Sequence, residues 1–274
     1  MANIKAYDSF KNADGEEIYL YQAINEKGEW NNKYERHPIF CPECGIAYLK
    51  FTSKTANHCA FLSSMPIPPY PEHSNDCSHQ YATIGKQGAK DFYNTCTHEQ
   101  AIDKINACIN LLKRQNHILV IADENQHPHQ PSLTVEHSIN GRRESRRLRT
   151  RSFYSIYKLE DEDIGFPIVF YGKAYLSCES KKSKSKGYDF NVLKVRSIYK
   201  DNRTLQSIYF GNNTIDNLRE DHIYLFAMIG VPVRKGNFIN VNFYNNDYSL
   251  YRIEEPDYDC NCSFVKLKIS QAIS

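Results

Sequence analysis

The chain has 274 residues, 41% of them hydrophobic and 24% charged, with a formal net charge of +2. This is the composition of a soluble globular protein, long enough for one large domain or two ordinary ones with a real core. It excludes a membrane-spanning helix, because no apolar run reaches about eighteen residues, and so small a net charge does not by itself announce a nucleic-acid partner.

The first residues lack the basic-then-apolar pattern of a secretory leader, so a cytoplasmic location is expected. In that setting the nine cysteines read as metal ligands and buried thiols rather than a disulfide framework. Residues 4–36 carry two short strand-like runs, with turns at 12–15 and 25–28. Phe40 and residues 47–51 flank Cys41-Pro42-Glu43-Cys44-Gly45, which predicts the hairpin of a zinc ribbon. Pro42 fixes one backbone dihedral and Gly45 permits the turn, so both thiols can face one ion. The proline-rich piece 65–71 must run extended and deliver His73 and Cys77 to the same site.

Cys41, Cys44, His73 and Cys77 are the preferred ligands of a structural zinc ion, with His58, His79 and Cys59 in reserve. Nothing in the pattern demands an open coordination position, so the ion is expected to scaffold rather than to catalyse. The knuckle, His58 and the closing His73/Cys77 pair resemble the N-terminal zinc-ribbon region of CoiA-like competence proteins, over about residues 15–80. Cys59-Ala60-Phe61 departs from that family's middle motif. The resemblance implies work on or around DNA, and it implies a nuclease-type domain after the ribbon. Asp163, Glu179 and Lys181 have a spacing that a PD-(D/E)xK nuclease permits, with two carboxylates for Mg²⁺ and a lysine to polarise water.

Further along, Ala101, Ile102, Ile105, Cys108, Ile109 and Leu112 recur at helical spacing, predicting a helix over 97–114 opened by a Thr97/Gln100 capping box. Residues 117–122 read as a buried strand and 125–132 as a loop. Next comes a cluster of six arginines in ten residues: Arg142, Arg143, Arg146, Arg147, Arg149 and Arg151. Arginine is the bidentate phosphate reader, so this cluster is expected to grip a nucleic-acid backbone.

From residue 166 the chain turns β-rich. Strands are predicted at 167–178, 189–199, 205–210, 222–231, 238–243 and 248–253, with a helical turn at 214–220 after the third. That order predicts an OB-like barrel. The basic run Lys181, Lys182, Lys184, Lys186 would fall between its first two strands, beside the stacking candidates Tyr171, Tyr175, Tyr188, Phe190, Tyr199 and Tyr209. Cys260 and Cys262 form a C-x-C pair of no assigned role.

The expected class is α+β: a zinc ribbon with an α/β connector over 1–140, an Arg-rich, acidic-ended linker over 141–165, and an OB-like β-barrel over 166–274. The expected function is non-catalytic binding of nucleic acid, single strands favoured, in bacterial or phage DNA or RNA transactions. The rivals are the Mg-dependent nuclease and a protein-interaction subunit of a defence or anti-defence complex.

Overall fold

Turn chemistry sets the first hairpin. Asn12 Oδ1 accepts from the backbone N–H of Asp14 at 3.0 Å and of Glu16 at 2.9 Å, while Gly15 takes φ 78°. This side-chain mimic of a turn joins β1 (Ser9–Lys11) to β2 (Glu17–Tyr19). The computed structural model that contains it describes residues 7–25, 27–31, 33–34, 37–56, 59–65, 72–114, 133–139, 142–183, 187–199 and 203–256. After β2 comes one turn of helix, α1 (Leu20–Ala23). A second antiparallel hairpin follows, β3 (Leu49–Thr52) with β4 (Phe61–Ser64). Phe10, Leu20, Leu49, Leu62, Cys41 and Cys77 close a small hydrophobic core between these pieces.

The next elements are α2 (Lys86–Thr95) and α3 (His98–Arg114). Thr97 and Gln100 form the expected capping box, Gln100 N to Thr97 Oγ1 at 3.3 Å and Thr97 N to Gln100 Oε1 at 3.0 Å. Sequence reading missed α2. Its Gly88 weakens the helical signal, yet the structure needs a glycine there: a Cβ would lie 2.8 Å from Ile84 and 2.9 Å from the His137 ring. His137 belongs to β5 (Thr134–Ile139), which pairs antiparallel with β6 (Arg142–Arg147).

The main sheet contains β7 (Thr150–Ser152), β8 (Ile168–Lys182), β9 (Asp189–Arg196), β10 (Thr204–Gly211), β11 (Ile223–Lys235), β12 (Phe238–Phe243) and β13 (Tyr251–Glu254). Its order is β10-β9-β8-β11-β12, with β13 on β11 and β7 parallel to β8. β8 serves two partners: Ile168–Tyr175 pairs with β11, and Tyr175–Lys182 pairs with β9. One strand shared this way curls the sheet into an antiparallel half-barrel. Its free edges approach where the Gln206 side chain donates to the Ile239 carbonyl at 2.8 Å. α3 packs against β8, β11 and β13, adding Ile105, Cys108 and Leu112 to the core of Leu176, Leu193, Phe226 and Val241.

The architecture bears on three expectations. Residues 214–220 form no helix, because Asn217 sits in the left-handed region at φ 64° and interrupts helical geometry. Residues 141–165, expected as an Arg-rich, acidic-ended linker, contain β6, β7 and two 3-10 turns, and Phe153 stacks on Phe226 at 5.0 Å. The two cores divide between Cys77 and Ile84 rather than near residue 140, because α2 and α3 pack with the sheet. The expected strand at 117–122 and the loop at 125–132 lie outside the described residues, as do most of the proline-rich piece and Cys260 and Cys262.

The first hairpin and α1 meet the 3-10 turn Phe153–Lys158, beside β8, through tyrosines. Tyr154 meets Tyr19 at 5.1 Å and Tyr21 at 5.5 Å, and donates to the Lys173 carbonyl at 2.9 Å. Glu17 lies in this seam. Ser9 donates to one carboxylate oxygen, and the other is buried with no hydrogen-bond partner. Burial pushes the carboxyl up to about 7, against the Ser9 hydrogen bond and the charges of Lys11 and Lys173. A carboxyl whose folded pKa exceeds its unfolded value, about 4.3, favours folding at low pH. That advantage is lost as pH rises from there through about 7. Glu17→Gln should therefore be more stable than the parent above pH 7, by on the order of 1–2 kcal/mol after allowing for partial solvent access. Urea melts near pH 5 and pH 8 measure it; parallel pH profiles for the two proteins would refute it.

Candidate metal centre and nucleic-acid interface

The knuckle folds on its own backbone. Cys41 N–H donates to the Ala47 carbonyl and Gly45 N–H to the Cys41 carbonyl, each at 2.8 Å, with Gly45 at φ 69°. The expected hairpin closes as an isolated bridge, Phe40 to Tyr48, continued by Leu49 N–H to the Ile39 carbonyl at 2.8 Å. A turn at residues 73–77, held by Cys77 N–H to the Ser74 carbonyl at 2.9 Å, brings in the other two side chains.

The ligand atoms of Cys41, Cys44, His73 and Cys77 all lie within 4.8 Å of one another. Cys41 Sγ is 3.8 Å from Cys77 Sγ, while His73 Nδ1 is 3.6 Å from Cys44 Sγ and 3.4 Å from Cys77 Sγ. A tetrahedron with metal–sulfur bonds of about 2.3 Å and metal–nitrogen of about 2.0–2.1 Å has S···S edges near 3.8 Å and S···N edges near 3.5 Å. The four residues therefore fit a tetrahedral ion. The thiols make the same point electrostatically. Hydrogen bonds from Cys41 and Cys77 hold the Cys44 thiol far below the usual range. Burial pushes Cys41 up, and Cys77 is pushed up by its hydrogen bonds to Cys41 and Cys44. Protons alone let one sulfur carry charge at its neighbours' expense; a dication would relieve all three.

A second layer surrounds the ligands. His73 Nε2 lies 3.0 Å from Tyr7 Oη. With an ion on Nδ1, Nε2 would carry the ring proton and donate it to the phenol. Glu43, inside the knuckle, accepts from Ser78 N–H at 2.7 Å and from Ser78 Oγ at 2.6 Å. Arg147 Nε donates to the same Ser78 Oγ at 2.8 Å, and its Nη2 to His79 Nε2 at 3.2 Å. That leaves His79 Nε2 an acceptor, so its 3.6 Å approach to Glu43 is a contact rather than an ion pair. Backbone bonds from Arg147 N–H to the Ala82 carbonyl and from Ile84 N–H to the Arg147 carbonyl tie β6 to the metal module.

The second candidate surface is the outer face of β8, β9 and β10. Residues directly opposite in an antiparallel pair share a face. The register matches Lys181 with Phe190, Glu179 with Val192 and Tyr209, and Lys194 with Ser207. Lys181, Phe190, Tyr209, Lys194 and Arg196 therefore share one face, while Leu193, Val195 and Ile208 point into the core. Tyr188 is 47% exposed and Tyr209 40% exposed. Their rings run as a row, Tyr188–Phe190 at 6.2 Å, Phe190–Tyr209 at 5.4 Å and Tyr209–Tyr248 at 6.2 Å. Lys194 Nζ bonds Ser207 Oγ at 3.0 Å and lies 3.9 Å from Glu179, the one acid among these residues.

No family model, curated protein or solved structure matches the chain.

The six arginines, expected to grip a nucleic-acid backbone, are dispersed among different partners. Arg147 is spent on the metal module. Arg149 Nη1 binds the buried Asp163 Oδ1 at 2.5 Å, and Arg151 Nη2 reaches the same oxygen at 3.3 Å. Arg146 pairs with Glu144. Arg142 and Arg143 are exposed, with Arg143 3.9 Å from Glu136. Strand alternation explains the dispersal, since neighbours in β6 point to opposite faces. The nuclease set is not assembled either. Asp163 meets Arg151, which pairs with Phe170, whereas Glu179 lies nine residues further along β8, on the order of 30 Å of extended strand. Glu179 instead lies 3.6 Å from Lys181.

Among the reserve ligands, His79 stacks on Tyr7 at 4.3 Å and Cys59 is exposed outside the cluster. His58, Lys184 and Lys186 lie outside the described residues. Lys182 is exposed beside Lys181, opposite Asp189. Of the other stacking candidates, Tyr171, Tyr175 and Tyr199 are half-buried. Sequence reading missed Glu43, Ser78 and Tyr7 around the Cys41/Cys44/His73/Cys77 cluster. Two of them had a visible signal: Glu43 lies inside the knuckle and Ser78 follows its last ligand.

Proposed function

We propose that this protein binds single-stranded nucleic acid without chemistry on it, using the outer face of an OB-like half-barrel and a zinc ion to brace its N-terminal module. The observation that carries the reading is the row Tyr188, Phe190 and Tyr209 beside Lys181 and Lys194, on a face whose reverse is the core. Aromatic faces stack bases without regard to sequence, and neighbouring lysines neutralise phosphate. The strand order β10-β9-β8-β11-β12, with β10 meeting β12, supports an OB-like closure. The three-sulfur, one-nitrogen ligand set supports zinc as the ion. The likeness of residues 15–80 to CoiA-like competence proteins points toward DNA.

Replacing both Phe190 and Tyr209 with alanine should weaken binding of labelled single strands at least tenfold, since each stacked base contributes about 1–3 kcal/mol. Fluorescence anisotropy with single- and double-stranded probes, at about 50 and 200 mM salt, measures both the stacking loss and the electrostatic slope. Absence of salt-dependent binding to any probe would reject the assignment.

A further inference from the structure

The β11–β12 hairpin carries an aromatic ring that the fold does not use. Phe238 is 76% exposed, more than Tyr157 at 57% or any other large hydrophobic side chain among the described residues. Burying such a ring would gain about 1.5–3 kcal/mol, so its place at a hairpin tip contributes nothing to folding. The tip closes on the pair Lys235 and Phe238, with Gly236 at φ 59°. Directly opposite residues share a face, so the lysine and the ring stand together. Val241 and Phe243 are buried, and strand alternation places Phe238 on the opposite, outer side of β12.

That side continues the aromatic face already described. Gln206 of β10 donates to the carbonyl of Ile239, the residue after Phe238. Its neighbour Ser207 accepts from Lys194. From Tyr209 the surface runs past Ser207 and Lys194 across the β10–β12 seam to Phe238 and Lys235. Two residues along a strand and one strand across span on the order of 10 Å. Both ends offer a ring and a lysine, the pairing that suits a base and its phosphate.

We infer that Phe238 and Lys235 form a second stacking platform, so that the ligand is a single strand long enough to cross the seam from Tyr209 to the β11–β12 hairpin. This rests on the proposed function of the β8–β9–β10 face and specifies its ligand. The test compares oligothymidylates of about two nucleotides, too short to reach both platforms, and about twelve by anisotropy. The parent protein binds the longer one more tightly. Phe238→Ala lowers affinity for the longer oligonucleotide by about 5- to 100-fold and leaves the shorter within about twofold, while Tyr209→Ala weakens both. Lys235→Ala lowers the salt slope for the longer one by about 1. Phe238 is exposed, so its replacement does not threaten folding. Tyr209-dependent binding with no effect of Phe238→Ala at either length overturns the second platform and leaves the first standing. Failure of the parent to bind either length overturns both. Retention of a protein partner through Phe238, with no oligonucleotide binding, assigns the hairpin to a protein interface instead.

Discussion

Removing the metal should lower the thermal midpoint by roughly 10 °C or more, and Cys41→Ser should do the same without a chelator. The ligands do more than pin a loop. Cys41 and Cys77 are fully buried within the N-terminal core, beside Phe10, Leu49 and Leu62. Glu43, between the first two ligands, holds Ser78, and Ser78 holds Arg147 of β6. Loosening the knuckle therefore frees three like-charged sulfur ligands and strands a guanidinium that bonds only inward. Structural zinc in small domains supplies about 10–16 kcal/mol of apparent binding energy. Here the apolar core offsets part of its loss, so several kcal/mol should appear as lost stability, at about 2–4 °C per kcal/mol for a chain of this order. Elemental analysis should find one zinc per chain. Thermal melts with and without chelator measure the shift, and hydrogen exchange locates it, with β1 to β4 losing protection before β8 to β12. A chain purified without metal, whose midpoint ignores both chelator and Cys41→Ser, would remove the ion from the account.

The cluster that could hold a metal was legible because its chemistry is local: four residues of unmistakable type with a turn encoded between the first two. Helix α3 was legible for the same reason, its apolar period and its Thr97/Gln100 cap being contained in one segment. The strands of the half-barrel could be read from alternation and turn residues, but not their ends. β8 runs on into Lys181 and Lys182 because pairing with β9 carries it there, and pairing is a property of two segments. The partners of the arginine cluster were not legible for a related reason. Six arginines in ten residues look solvent-facing, but Ser78 and Thr150 lie against Arg147 and Asp163 against Arg149 and Arg151, and no spacing rule announces those partners. Phe238 escaped notice because in sequence it is one more aromatic in a strand. Its exposure depends on where the hairpin ends.

Asp163→Asn should destabilise the chain by about 3–5 kcal/mol, and this experiment separates the two readings of the arginines. Asp163 is 4% exposed, yet it faces both Arg149 and Arg151. Arg149 also lies over the Phe166 ring at 5.2 Å, and its Nε is buried without a partner. Removing the carboxylate leaves Arg149 partly desolvated with no counter-charge and Arg151 with only Asp8 at 3.9 Å, which costs more than the pair itself contributes. Burial acts to raise the Asp163 carboxyl, but the Arg151 charge and the Arg149 hydrogen bond and charge outweigh it, so the group titrates below its ordinary range. A depressed folded pKa contributes stability that is complete above the unfolded value, about 3.9, and is lost as pH falls through the folded value. The parent should thus lose stability below about pH 4 more steeply than Asp163→Asn does. Urea melts at neutral pH and near pH 3 measure both effects. Were the arginines instead held for phosphate, Asp163→Asn would leave stability almost unchanged and tighten nucleic-acid binding, and that outcome would restore the cluster as the binding surface.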